Sequence, residues 1–350
     1  MANDNKNNKT GEIMKKRENY LNNRDLLRNI HLSKASYTWY EDGNFKNTEF
    51  LDYDFIACGE DVYRECREQL MLQVVNRALI KKRKKRVSVL KEPHYELITE
   101  EDYKEIDNKI VVFDHTITEQ LVNKMKLGHH NRLLYEEGKK RVPELPEDVD
   151  YDLSELVLRV YTFEHIPQLE KYNPNKVKRV ADLKHKVNFP PYKHYVIRNG
   201  RFECVAISHM DKNGQFSTAH GEINQNLAMG FLKISERNVQ NHNWRGYSYN
   251  DEMQGNALVQ LTMIGLMFNE LFSANPFAYY TTIVNNAFTV ILNQEKDVQN
   301  YRDKTLIDSG QDPSSTQQYD DEFRRIKHWN DILKNGNMEP GEVNHIKFDD

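Results

Sequence analysis

Ser273-Ala274-Asn275-Pro276-Phe277-Ala278-Tyr279-Tyr280-Thr281-Thr282-Ile283 carries its own helix start. Asn275 is a residue type that caps helix N-termini, and Pro276 suits the first turn, where its missing N–H would have had no partner. The helix that follows presents Phe277, Tyr279, Tyr280 and Phe288 together with Asn285 and Asn286. Aromatic rings mixed with amides are unusual on a helix that only packs, and such a surface can stack unpaired bases and hydrogen-bond their edges. Upstream, the pattern is helical from about residue 223, with Leu227, Phe231, Leu232 and Ile234, then Met253, Leu258, Leu261, Ile264 and residues 266–268 as core positions. Downstream, a polar linker at 308–318 precedes an amphipathic helix at 319–334 that aligns Phe323, Ile326, Trp329 and Leu333, closed by Asn335-Gly336.

Further toward the N-terminus the signals change. Residues 1–22 are polar and Asn-rich, so the reading there is disorder. Residues 21–33 space Leu26, Leu27, Ile30 and Leu32 for a short helix capped by Asn23. From 61 to 86, Val62, Cys66, Leu70, Val74 and Ala78 recur every four residues, which predicts a longer helix. That helix runs into Lys81, Lys82, Arg83, Lys84, Lys85 and Arg86, either a solvated helix end or a contact for nucleic-acid backbone. Residues 110–113 form a short β-prone run, and 118–126 a helix with Leu121, Val122 and Met125 inward. Pro143 and Pro146 lie in an acidic loop or linker. Asn199-Gly200 and then Asn213-Gly214 are successive hairpin signals, predicting a three-stranded meander that pairs Ile197 with Phe202 and Tyr195 with Cys204. That pairing makes one face apolar and leaves His194, Val196 and Glu203 on the other.

The 350 residues allow two ordinary domains, or one domain with a large insertion. Lys plus Arg number 49 against 53 Asp plus Glu, a net charge of −4. Such a chain is no free-standing polyanion binder, so phosphate contacts must come from local patches or a partner. Cys58, Cys66 and Cys204 form no CxxC pair, which argues for reduced thiols and against a disulfide framework or structural zinc. No apolar run is long enough to span a membrane and the N-terminus lacks a secretory signal, so a cytoplasmic location is expected. Histidines such as His115, His129, His130 and His165 show no metal-ligand spacing, and no P-loop, nucleophile elbow or dinucleotide-binding glycine pattern occurs. Neither an active site, nor a metal, nor a cofactor is expected.

Residues 243–296 resemble the late-transcription sigma factors of T4-type bacteriophages, shortened relatives of bacterial sigma factors. The likeness rests on Trp244, on Gly246-Tyr247-Ser248-Tyr249-Asn250-Asp251-Glu252-Met253, on Phe268-Asn269 and Ser273, on Asn275-Pro276-Phe277-Ala278-Tyr279-Tyr280-Thr281, and on Ala287-Phe288. Tyr20-Leu21-Asn22-Asn23-Arg24-Asp25-Leu26-Leu27 is similar to the family's N-terminal opening. Together these blocks cover under a third of the chain. The same helix pair resembles region 2 of general sigma factors, which docks on the clamp helices of the polymerase β′ subunit and opens the −10 promoter element. By this resemblance Asp251, Glu252, Gln254, Asn256 and Gln260 face the clamp helices, and Tyr247 and Tyr249 pack the start of their helix. Phe277, Tyr279, Tyr280, Asn285, Asn286 and Phe288 hold bases unstacked from an AT-rich late promoter. Tyr279 and Tyr280 are the favoured DNA contacts, while Phe277 and Phe288 are the more apolar. The tail at 343–350 resembles in kind the apolar and acidic end that binds a phage sliding clamp, through Val343, Ile346 and Phe348.

The chain departs from the family at three places. Thr289 and Val290 stand where paired basic residues are usual, so another cation must hold the backbone. Ile283 and Val284 replace the Trp pair of general sigma factors. Residues 36–190 match no part of the shorter members and read as an insertion.

The expected fold is therefore mainly α, a sigma region 2-like helical module with a small antiparallel β meander. Residues 1–36 would be a flexible N-terminus and short helix, 37–190 the insertion, and 191–222 the meander. The helical module would occupy 223–307, and a linker, amphipathic helix and tail 308–350. The expected function is a promoter-specificity subunit of the host's core RNA polymerase, acting in the host cytoplasm with promoter DNA, and with a sliding clamp and a late coactivator as further candidate partners. Two other readings stay open: a regulator that binds duplex DNA by itself, and a non-enzymatic phage interaction protein.

Overall fold

A computed structural model describes residues 22–40, 52–81, 95–219 and 221–334. The fold is α+β, built around a six-stranded mixed sheet. The strands are β1 (Thr38–Tyr40), β2 (Phe55–Gly59), β3 (Val112–Phe113), β4 (Val157–Tyr161), β5 (Tyr192–Arg198) and β6 (Arg201–Ser208). Their order is β1-β6-β5-β4-β2-β3, antiparallel from β1 to β4 and parallel across β4, β2 and β3. The helical majority agrees with the expectation of a mainly α chain, but the mixed six-stranded sheet exceeds the small meander expected and makes the fold α+β. β2 reads Phe-Ile-Ala-Cys-Gly and β4 Val-Leu-Arg-Val-Tyr, short runs covered on both faces, which lack the alternation that marks a half-exposed strand.

The hairpin β5–β6 has the expected register, with Ile197 opposite Phe202 and Tyr195 opposite Cys204. Asn199 and Gly200 both take positive φ, 52° and 71°, as a two-residue turn of this hand requires. The third meander strand does not form. Asp211 Oδ1 accepts from the backbone N–H of Asn213 and Gln215, making a side-chain-led turn, and only the single bridge Met210–Phe216 follows. The place beside β6 is taken by β1, pairing Trp39 with Ile207. The second face of the hairpin is buried as well, since Val196 and His194 are fully covered.

Eight helices complete the described fold: α1 (Asn23–Ala35), α2 (Glu60–Lys81), α3 (Glu100–Lys109), α4 (Glu119–Glu136), α5 (Gln225–Val239), α6 (Asn250–Ile264), α7 (Pro276–Asp308) and α8 (Ser315–Lys334). In α2 the buried stripe starts on Val62, Cys66, Leu70 and Val74 but then passes to Val75 and Leu79, leaving Ala78 half-buried. A four-residue spacing drifts off one face of a 3.6-residue helix, so the stripe must step back. α4 starts at the Thr118 cap and covers the sheet face of Ala57, Leu158 and Val160 with Leu121 and Met125. Helices α1, α5, α6 and α7 enclose a separate core around Leu26, Phe231, Met253, Leu261, Val284 and Phe288. No helix among the described residues is long and apolar enough to cross a membrane. Cys58, Cys66 and Cys204 are free thiols, and the Cys58 contact together with burial pushes the Cys66 thiol up.

Candidate functional site

The α6–α7 pair is held from within. Asn275 caps α7 through Ala278 N–H (3.1 Å), with Pro276 in the first turn as expected. A second cap comes from α1, where Asn23 Oδ1 accepts from Phe277 N–H at 3.0 Å. Asn23 is therefore not the cap of its own helix; Asn22 fills that role by accepting from Arg24 N–H. Tyr249 occupies the cap position of α6, its ring 5.3 Å from that of Tyr247.

Burial divides the aromatic set. Tyr280 and Phe288 are fully buried, the first edge-on to Phe231 at 4.8 Å and the second to Trp244 at 5.3 Å. Neither presents a ring to an outside ligand, which corrects their placement among base contacts. Their spacing of eight residues puts both on the inner side of the helix. Tyr279 is half-buried, its hydroxyl donating to Ile264 O (2.9 Å) and its pKa pushed up to about 12 by burial. Phe277 is 37% exposed and Asn286 is exposed, while Asn285 Oδ1 accepts from Asn238 Nδ2 at 2.9 Å. On α6, Asp251 and Glu252 are exposed and Gln254 and Gln260 partly so. Asn256 is spent on packing, donating Nδ2–H to Ala287 O (3.1 Å) across to α7, so it is withdrawn from the docking set. Val343, Ile346, Phe348 and residues 82–86 of the basic run lie outside the described residues.

Sequence reasoning missed what surrounds these side chains. From Met253 to Gln294 the only charged residue is Glu270. Glu252, Gly255, Val259 and Met263 follow one another along the outward line of α6, and Val259 and Met263 are 54% and 67% exposed. Ile264, Met267 and Phe277 extend this apolar surface to the start of α7. This long stretch with a single charge was visible as absent charge rather than as a motif, and it has the signature of an interface core, which is depleted in charge and enriched in Met and aromatics.

Glu270 itself faces inward and joins three parts of the fold. Lys34 of α1 donates to Glu270 Oε2 and to Phe268 O, both at 2.7 Å. Arg159 of β4 reaches within 3.9 Å of Glu270 Oε1, sandwiched between the rings of Tyr53 (4.0 Å) and Tyr192 (3.9 Å). Arg159 also donates to His194 Nε2 (2.9 Å) and His31 Nδ1 (2.8 Å). Because Arg can only donate, His31 accepts at Nδ1 and holds its proton on Nε2, 3.2 Å from Asp52 Oδ1. Burial lowers Lys34 to about 8 against the pull of Glu270; desolvation would raise Glu270, but Lys34 and Arg159 hold it below the ordinary carboxylate range. At neutral pH the seam is charged. No three His, Cys, Asp or Glu side chains converge as a metal site among the described residues.

No protein-family model, curated protein or solved structure matches the chain.

Proposed function

We propose that the chain is a bacteriophage late-transcription sigma factor whose helices α5, α6 and α7 form a sigma region 2-like module. The observation that carries this reading is the uncharged, partly apolar outer surface of α6 and the start of α7, bordered by Asp251 and Glu252. A surface of this kind costs free energy when it faces water, and a partner helix pair removes it while its Arg and Lys complement the two carboxylates. On the proposal, that partner is the β′ clamp of the host's core RNA polymerase. Asp251, Glu252, Gln254 and Gln260 set the polar border, and Val259 and Met263 fill the centre.

Base capture in the melted promoter then falls to Phe277, Tyr279, Asn285 and Asn286, without Tyr280 and Phe288. Stacking on an aromatic contributes about 1–3 kcal/mol per base, comparable to the few kcal/mol that unstacking costs. α7 brings no cation to this surface before Lys296, so polymerase or another part of the chain must hold the phosphates. Val343, Ile346 and Phe348 are proposed as the sliding-clamp tail. The factor works in the host cytoplasm and needs no active site, because polymerase supplies the catalysis.

Transcription tests this directly. Core polymerase of the host with the purified chain should initiate from a negatively supercoiled, AT-rich late promoter, and Phe277→Ala with Asn286→Ala should lower initiation while polymerase binding survives. Absence of specific initiation with core polymerase, with and without sliding clamp and coactivator, would contradict the proposal.

A further inference from the structure

A cleft of about 490 Å³ lies between α1 and α4 at the start of β2, with no residue of α7 in its lining. Its size falls in the range of small-molecule sites. Five cations line it, Arg24, Arg28, Lys124, Arg132 and Arg141, against Asp52, Asp54 and Glu136, on a chain whose net charge is −4. Leu27, Leu127, Tyr53 and Phe55 supply apolar wall.

The walls are fixed by contacts that leave part of this charge unspent. Asp54 accepts from Val157 N–H (2.7 Å) and Arg132 Nε (3.0 Å) and lies 3.2 Å from His129 Nδ1, which anchors α4 to the strand start. Gly128 permits that approach, since a Cβ there would stand 1.9 Å from Asp54 O. Tyr135 Oη donates to Asp25 (2.9 Å), tying α4 to α1. Asn131 exchanges two hydrogen bonds with the backbone of Val142 (2.8 and 3.1 Å), and this holds the preceding Arg141 at the rim. Lys124 is engaged by Asn108 O and Arg132 by Asp54, but Arg28 and Arg141 are exposed and in no ion pair among the described residues. Asp52 is 45% exposed and has acceptor capacity beyond its contact to His31.

We propose that this cleft binds a nucleotide unit, with Arg28 and Arg141 on the phosphate, the apolar wall under the base and Asp52 accepting from a base amino or sugar hydroxyl group. Two cations outside any ion pair beside an apolar wall suit a group that is anionic at one end and apolar-faced at the other. The same chemistry arrives as a free nucleoside phosphate or as part of a single strand. The assignment does not depend on the polymerase reading.

The test uses the full chain without polymerase, titrated with ATP and with fluorescent oligo(dT). At least one probe should bind, and R28A/R141A should weaken it by about tenfold or more at unchanged melting temperature. If oligo(dT) is the probe bound, the double variant should also reduce the salt slope by about 1.4, as loss of two phosphate contacts on a single strand requires. K171A/K178A, which removes the same charge elsewhere on the surface, should stay within about twofold. Binding of oligo(dT) that ATP does not displace identifies the strand as source; displacement by ATP identifies the free nucleotide. Binding of neither probe, or equal losses in the two double variants, would overturn the assignment. Survival of polymerase binding in R28A/R141A keeps this outcome separate from that of the sigma proposal.

Discussion

The seam around Glu270 and the outer face of α6 invert the usual placement of charge. Inside, Lys34, Glu270, Arg159 and His31 sit where apolar side chains are the norm; outside, Val259, Met263 and Met267 sit where charges are. The inside arrangement holds because Lys34 and Glu270 pair at 2.7 Å and Arg159 is clamped between two rings, although Arg159 Nη1 and Glu270 Oε1, 3.9 Å apart, make no hydrogen bond; Glu270 ties α1, the sheet and the helical bundle to one point. The outside arrangement has no such closure within the described chain. Polar groups that have found partners are structure; apolar groups that have not are an invitation to a second molecule.

Breaking the seam should have the largest effect. Glu270→Ala leaves Lys34 and Arg159 buried without their carboxylate and should cost about 3–5 kcal/mol of stability by chemical denaturation. Glu270→Gln, which retains an acceptor for Lys34, should cost less; equal losses would mean that the seam is held by packing rather than by charge. On α7 the contrast can be drawn within one helix. Phe288→Ala should cost about 3–5 kcal/mol because its ring is fully buried, whereas Phe277→Ala should stay within about 0.5 kcal/mol. Similar values for the two would contradict the division into inner and outer aromatics.

Much of this was legible in the sequence where the signal is local. The Asn199-Gly200 hairpin carries its register in two residues, and Asn275-Pro276 marks the start of α7 to the residue. What was not legible depends on distant partners. β1, of three residues, is a strand only because β6 lies beside it, whereas the β-prone run at 110–113 does yield β3. Asn213-Gly214 carries the same dipeptide as the true hairpin, but Asp211 captures the turn and no strand follows. Tyr279 and Tyr280 are neighbours of one kind, and only the 100° step around the helix, set against the position of Phe231, leaves one half-buried at the edge of the core and sends the other fully inward. Lys34 reads as an ordinary surface residue until Glu270, far along the chain, is brought to it. The cleft was equally hidden, since Arg28 on α1 and Arg141 in the loop after α4 are joined by no sequence signal.

The smallest expected effect on stability belongs to the surface on which the functional account rests. Val259→Asp with Met263→Asp should leave the folded chain within about 0.5 kcal/mol of its parent, because both side chains are already exposed. The decisive measurement is co-elution of this double variant and its parent with the host's core RNA polymerase on a sizing column. The parent should co-elute and the variant run free; a variant that co-elutes as fully as the parent would contradict the assignment of this surface as the docking face.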